Sequence, residues 1–267
     1  MTIKQKETKA IKPTRNTLVH HHPLKGGGFV QVYRDGLHHY WREGDEEGTK
    51  VPSVSSLVNH TDGSLFGAAS GYTISVIRDN NGDLEAPRRI NKEALEAGNQ
   101  FHETVEDFIK NGKVDEESGM FLAWYHAEHQ GQKMGDKSWV AAERLLHCPP
   151  GEFGRPGFGG TLDALAVGLS GEMELWDWKT KSESYIRNGG YLHEQAQLGG
   201  YAEALRIMGS VYQPTVGYIA YVVRTDEPQV YIQTVDLEFA KRLFRGSWAN
   251  TLLKEEAEAR GYIHKRS

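Results

Sequence analysis

Gly159-Gly160-Thr161-Leu162-Asp163-Ala164-Leu165-Ala166, followed by Glu174-Leu175-Trp176-Asp177-Trp178-Lys179-Thr180, reads as the two strands of one hairpin. Val167-Gly168-Leu169-Ser170-Gly171 between them is the turn. Side chains alternate faces along a strand, so Asp177 and Lys179 share one face while Trp176 and Trp178 take the other. Two positions along a strand span roughly 7 Å, room for a metal ion and a polarised water between the charged groups. Ionisable groups interleaved with tryptophans are costly to bury unless something pairs with them. That cost marks the segment as a candidate site.

Asp163 alone reads equally as a turn residue at a strand end, but the approach through Gly159 and Gly160 favours close contact with a backbone or substrate. Asp177 with Lys179 alone reads as a structural ion pair, and exposed pairs of that kind contribute little. Upstream, Gly98, His102, Val105 and Ile109 fall on one helical stripe, which turns His102 inward and makes a partner necessary. Downstream, Gln197 and Tyr201 lie four apart on an expected helix, about 6 Å from each other. The plain reading of that helix is amphipathic, with Ala196, Leu198, Ala202 and Leu205 inward. Glu143, on the strand before Asp163, reads either as an acid of the site or as a solvent-facing residue.

This order of elements, G-x-x-D, then D-x-K in W-D-W-K-T, then Q-x-x-x-Y, resembles the PD-(D/E)XK nuclease superfamily. Within it the pattern is similar to the RecB-like exonucleases, namely the mitochondrial genome maintenance exonuclease branch and its phage-encoded relatives. Those enzymes carry an upstream helical histidine, matched here by Gly98-Asn99-Gln100-Phe101-His102. Pro52-Ser53-Val54-Ser55-Ser56-Leu57 resembles a segment near their N-termini, and the motifs span about 92–205. The resemblance implies an α/β fold with a restriction-endonuclease-like core, a central mixed β-sheet flanked by helices.

It also implies a metal-dependent deoxyribonuclease, an exonuclease acting on single-stranded DNA or DNA ends. Asp163, Asp177, His102 and the carbonyl of Trp178 are expected to hold Mg²⁺ or Mn²⁺. Lys179 is expected to orient the water or stabilise developing charge, with its pKa lowered near the metal. Gln197, Tyr201 and Thr180 are expected to hold the DNA, with phosphate contacts from Lys181 and Arg187, and Glu143 is a further acidic candidate. Two other readings remain open: a DNA-binding or recombination-assembly protein on an inactive scaffold, and a restriction-type endonuclease.

Composition frames these readings. The chain has 267 residues and a net charge of −5, which argues against nucleic-acid binding by bulk electrostatics and leaves a local basic groove. A single cysteine, Cys148, excludes an internal disulfide framework and a four-cysteine iron–sulfur cluster, and suits a reducing compartment. No apolar run is long enough for a membrane span or a signal-peptide core. The resemblance suggests the cytoplasm of a bacterium or phage-infected cell, with a mitochondrial setting open. His126 and His129 lack a third ligand for zinc, and no Walker loop or G-x-S-x-G elbow is present.

Punctuation divides the chain into a flexible basic tail (1–28), a hairpin and helical extension (29–90) and the nuclease domain (91–267). The first 25 residues carry six cations against Glu7, a net +5, and His20-His21-His22 is expected to have no catalytic role. A hairpin is expected over Phe29–Arg34 and Leu37–Arg42 with a two-residue turn at Asp35-Gly36. Helices are expected from Pro52 through Val58, over Asn91–Lys110 with Asn91 as N-cap and Leu95, Phe101, Val105 and Phe108 buried, and over Glu117–Gln130. Strands are expected at Trp139–His147, Val216–Val223 and Gln229–Val235, and a last helix at Leu237–Arg260. Residues 62–87 give no clear signal.

Overall fold

The computed structural model describes residues 11, 13–14, 16–45, 50–58, 65–151, 157–187 and 191–261. Three short strands come first: β1 (Leu18–Pro23), β2 (Phe29–Arg34) and β3 (Tyr40–Arg42), in the antiparallel order β1-β2-β3. Four helices follow: α1 (Val54–Val58), α2 (Leu65–Asp79), α3 (Ala86–Asn111) and α4 (Gly119–His126). A small ribbon, β4 (Glu128–His129) with β5 (Gln132–Lys133), leads into β6 (Ser138–Cys148), β7 (Phe158–Val167) and β8 (Met173–Lys181). The chain then runs through α5 (Glu183–Arg187), α6 (Leu192–Ile207), β9 (Val216–Val223), β10 (Val230–Val235) and α7 (Leu237–Ala259).

The main sheet has five strands in the order β10-β9-β8-β7-β6, with β8 and β9 parallel and the other pairs antiparallel. It is a mixed sheet with helices on both faces, as expected. Strand alternation divides the core. On one face Leu175, Ile219 and Tyr221 meet Val54 of α1, Leu198 of α6 and Phe244 and Trp248 of α7. On the other, Trp176, Trp178 and Tyr218 meet Phe101 and Val105 of α3 and Phe121 and Trp124 of α4. Ala164 lies opposite Trp176 and Ala220 opposite Trp178, so small residues leave room for the two indoles. Helices α6 and α7 touch at Gly199, where a Cβ would sit 2.1 Å from the Ala240 carbonyl oxygen.

Several expectations change. The hairpin turn is not two residues: Arg34 pairs with Tyr40, and Asp35 Oδ1 accepts the amides of Leu37 and His39, which widens the loop. Helix α3 begins at Ala86, with Pro87 in a first turn where its missing N–H is no loss, so Asn91 is interior rather than the N-cap. Leu95 is 65% exposed, outside the buried stripe of Phe101 and Val105. Helix α4 stops at His126 because Gln130 (φ 54) and Gly131 (φ 77) fold the following residues into the β4–β5 ribbon. Part of the segment without signal is α2, and residues 59–64 lie outside the described residues.

The basic tail is also corrected. Its residues 18–23 form β1, which pairs with β2 along its whole length, with His22 buried and His20 half-buried. The Leu145 amide donates to His20 Nδ1 at 3.1 Å, and His22 Nε2 lies 2.8 Å from Ser210 Oγ. The histidine run thus docks the small sheet on the β6 edge. Burial, with Arg144 and His20 nearby, holds His22 down at about 4. Burial, with Arg42 nearby, holds His147 at about 3, so its 3.7 Å contact with Asp45 is not an ion pair.

Two predictions follow from this packing. Unfolding returns His22 and His147 to an ordinary 6.5, so the unfolded chain binds more protons below that pH. The contribution of these two histidines is therefore complete above about pH 6.5 and is lost as pH falls toward 4, and His147→Leu flattens that acid-side loss in thermal melts recorded across the range. Gly199→Ala forces α6 from α7 and lowers unfolding free energy by about 1–3 kcal/mol in denaturant titrations.

Candidate metal centre

The main sheet forks at the site. Between β7 and β8 the ladder pairs Val167 with Met173 through Ala164 with Trp176, and no further. Beyond that point β7 stays paired to β6 as far as Phe158, and β8 stays paired to β9 as far as Lys181. At the fork, Asp163 Oδ2 accepts the Trp178 amide at 2.7 Å, a side chain taking the place of a ladder carbonyl. The opening is a cavity of about 700 Å³ lined by Gly160, Asp163, Lys179, Thr180, Tyr201 and, from α3, His102. A Cβ on Gly98 would sit 3.0 Å from Thr180 Oγ1, so that glycine lets α3 approach β8.

His102, Glu143 and Asp163 converge here, with one potential ligand atom from each lying within 4.8 Å of the others. His102 Nδ1 is 3.7 Å from Asp163 Oδ2 and 3.8 Å from Glu143 Oε1, while Nε2 is 3.2 Å from the Trp178 carbonyl oxygen. A carbonyl only accepts, so Nε2 carries the proton and Nδ1 faces the carboxylates. The Trp178 carbonyl, expected as a metal ligand, is occupied by His102 and orients that ring. Glu143 joins the group by an unusual route. Its φ is +49°, and the β6–β7 register passes from Ala142–Ala164 to Arg144–Leu162 without pairing it. A left-handed non-glycine residue costs on the order of 1–2 kcal/mol, held here where its side chain is aimed into the cavity.

Asp177 stands apart from that trio. It is fully buried, and its Oδ2 lies 2.6 Å from Lys179 Nζ. Neither Asp177 oxygen receives an aligned hydrogen bond, so the contact is an ion pair rather than a directed bond. Lys179 also donates to Gln197 Oε1 at 3.3 Å, and Gln197 Nε2 donates to Tyr201 Oη at 2.6 Å. Gln197, expected to touch substrate, thus links Lys179 to Tyr201, and the tyrosine keeps its own O–H to donate. Of the expected phosphate contacts, Lys181 forms an ion pair with Glu194 at 2.9 Å, and the side chain of Arg187 lies outside the described residues.

The electrostatics describe a group short of positive charge. Burial pushes Asp177 up to about 7, with Asp163 adding repulsion against the pull of Lys179. Burial raises Asp163 as well. Burial opposes the charge on His102, but Asp163 and Glu143 outweigh it and lift the imidazole to about 9. Burial likewise opposes the charge on Lys179, yet Asp177 and Asp163 raise its pKa. A divalent cation suits such a set: hard oxygens from two carboxylates, one imidazole nitrogen, and a buried Asp177 with no aligned donor.

Sequence reading missed the contribution of the N-terminal sheet. Arg34 Nη1 donates to Thr161 Oγ1 at 3.0 Å, Tyr40 Oη lies 3.2 Å from the same oxygen, and both side chains line the cavity. No local motif links residues more than a hundred positions apart. The left-handed Glu143 likewise has no signature in its sequence.

No protein-family model matches this chain, and no curated protein matches it. Among solved structures, one described as the crystal structure of SSO0001 is similar over 76% of this chain and 77% of its own, at 16% identity and a TM-score of 0.36. A likeness that loose bears on neither fold nor function. Among the described residues, no helix is long and apolar enough to cross a membrane.

Glu143→Gly separates strain from binding. Glycine accepts the left-handed backbone, so the metal-free melting temperature is maintained or raised, while most of the Mn²⁺-dependent rise disappears. Thermal melts with and without Mn²⁺ check both halves, and a full Mn²⁺ response in this variant removes Glu143 from the ligand set.

Proposed function

We propose that this protein is a metal-dependent deoxyribonuclease with a restriction-endonuclease-like core of the PD-(D/E)XK, RecB-like kind. The observation that carries the reading is the convergence of His102, Glu143 and Asp163 beside the Asp177–Lys179 pair in one open cavity. Mg²⁺ or Mn²⁺ would be held by His102 Nδ1, Glu143 and Asp163, with Asp177 alongside. When bound there, the ion supplies Lewis-acid polarisation of a phosphate and a water of lowered pKa.

The chain's own groups do the rest. Lys179 has three ammonium hydrogens; Gln197 takes one and Asp177 balances the charge without an aligned bond, leaving donors for the cavity, where they position a water or balance charge on the phosphoryl oxygens. Burial, with Asp177 and Asp163 near, keeps the Tyr201 phenol protonated, so its O–H serves as a donor to a phosphate oxygen. Gln197 is a positioning residue for both. Thr180 lines the same wall. The proposed substrate is DNA, single-stranded or with free ends, which the fork admits from its open side.

The test uses end-labelled single- and double-stranded DNA with Mg²⁺, Mn²⁺ or EDTA. Wild-type protein is expected to release label only with metal, and Lys179→Ala to lose about 10²–10³-fold in turnover. Near-normal cleavage by that variant, or DNA binding without cleavage under every metal, defeats the reading.

A further inference from the structure

Several described arginines are tied to acids. Arg78, Arg89, Arg206, Arg245 and Arg260 each hold a carboxylate. Arg34 and Arg144 do not: among the described residues they are bonded to neutral acceptors, Arg34 to Thr161 Oγ1 at 3.0 Å and Arg144 to the His21 carbonyl at 3.2 Å. Arg34 lines the cavity that holds Lys179, and Arg144 lines a second cavity, of about 310 Å³, with His20, Ile109 and Lys110. Both cavities open along α3, and His102 to Lys110 covers about 12 Å of helix, on the order of three nucleotides of one strand.

Acids lie on both walls of the first cavity, Glu103 and Glu106 from α3 and Glu143 and Asp163 from the sheet, while Lys110 of α3 is tied to Glu106. Against these the sheet side supplies Arg34 and Arg144, both half-buried and pre-aimed by their neutral anchors. They are the guanidinium groups that line the two cavities, and so the points where a polyanion finds forked donors. His20 lines the second cavity with Arg144: burial, then Lys110, Arg144 and Arg34, hold it at about 4, so it stays neutral there.

We propose that Arg34 and Arg144 form a phosphate track, which carries the nucleic-acid single strand from the metal centre along the β1-β2-β3 sheet and β6. The inference rests on the nuclease reading and deepens it, because it assigns the N-terminal sheet a part in substrate binding. Two guanidinium groups, each with donors beyond its anchor, grip successive phosphates while Lys179 faces the phosphodiester to be cut.

Fluorescence anisotropy of a labelled oligodeoxythymidylate, with EDTA present to prevent cleavage, tests the track across a salt series. Arg34→Gln and Arg144→Gln are each expected to raise Kd about tenfold and to lower the slope of log K against log salt by about 0.7. Arg→Lys at either position is expected to restore the slope and only part of the affinity. The Arg144→Gln defect is expected to shrink when the probe is cut to a dinucleotide, too short to span the path, which a general folding defect does not do. Arg260→Gln, at the end of α7 and lining neither cavity, serves as the control. If Arg34→Gln melts early, Arg144→Gln carries the test alone, since its anchor is one exposed carbonyl. Wild-type slopes in both glutamine variants, with metal-dependent cleavage intact, overturn the track and leave the nuclease reading standing. A wild-type protein that neither binds nor cleaves DNA removes that reading, and the track with it.

Discussion

The hydrogen bond from the Trp178 amide to Asp163 Oδ2 decides where the sheet opens. One position earlier, Ala164 and Trp176 still pair through their backbones; one position later, a carboxylate substitutes for a strand. A buried amide must find an acceptor, and a side chain that supplies it frees the two strands to part. Everything near the candidate site depends on that parting. It opens the cavity and turns the Trp178 carbonyl toward His102. It also leaves Lys179 on a strand with one paired edge, beside α6.

The fork is held from both faces. Trp176 and Trp178 pack into the aromatic layer with Trp124 and Trp139, which anchors β8 from behind. On the opposite face α6 seats Gln197 and Tyr201 against Lys179, and Gly200 allows the close approach of Val54 and Phe244. Rigid packing on these two sides keeps several buried charges at short range, where each perturbs the others through a medium of low polarity. The left-handed Glu143 belongs to the same balance: the surrounding ladder over-determines a conformation the residue would not choose alone.

The small N-terminal sheet covers the β6 edge and completes the wall of the cavity. Its buried histidines do the docking, and Val32, Tyr40 and Val51 close a minor core over Leu145. The extension therefore serves two ends, docking on β6 at Arg144 and Leu145 and delivering Arg34 and Tyr40 to the site.

The sequence alone determined the period-two and helical patterns, and with them the existence of α6 and the bounds of the β7–β8 hairpin, β9, β10 and α7 nearly to the residue, because these rest on local alternation and punctuation. It also determined that Asp177 and Lys179 share a face opposite the tryptophans. Only the tertiary structure decided that Glu143 rather than Asp177 completes the tight trio with His102 and Asp163, because strand divergence and a positive φ are properties of packing. It alone drew the histidine run out of a supposed tail, since the docking partners Leu145 and Ser210 lie far along the chain. Contacts across such separations leave no periodic trace in the sequence, and they are what convert a set of residue types into a site.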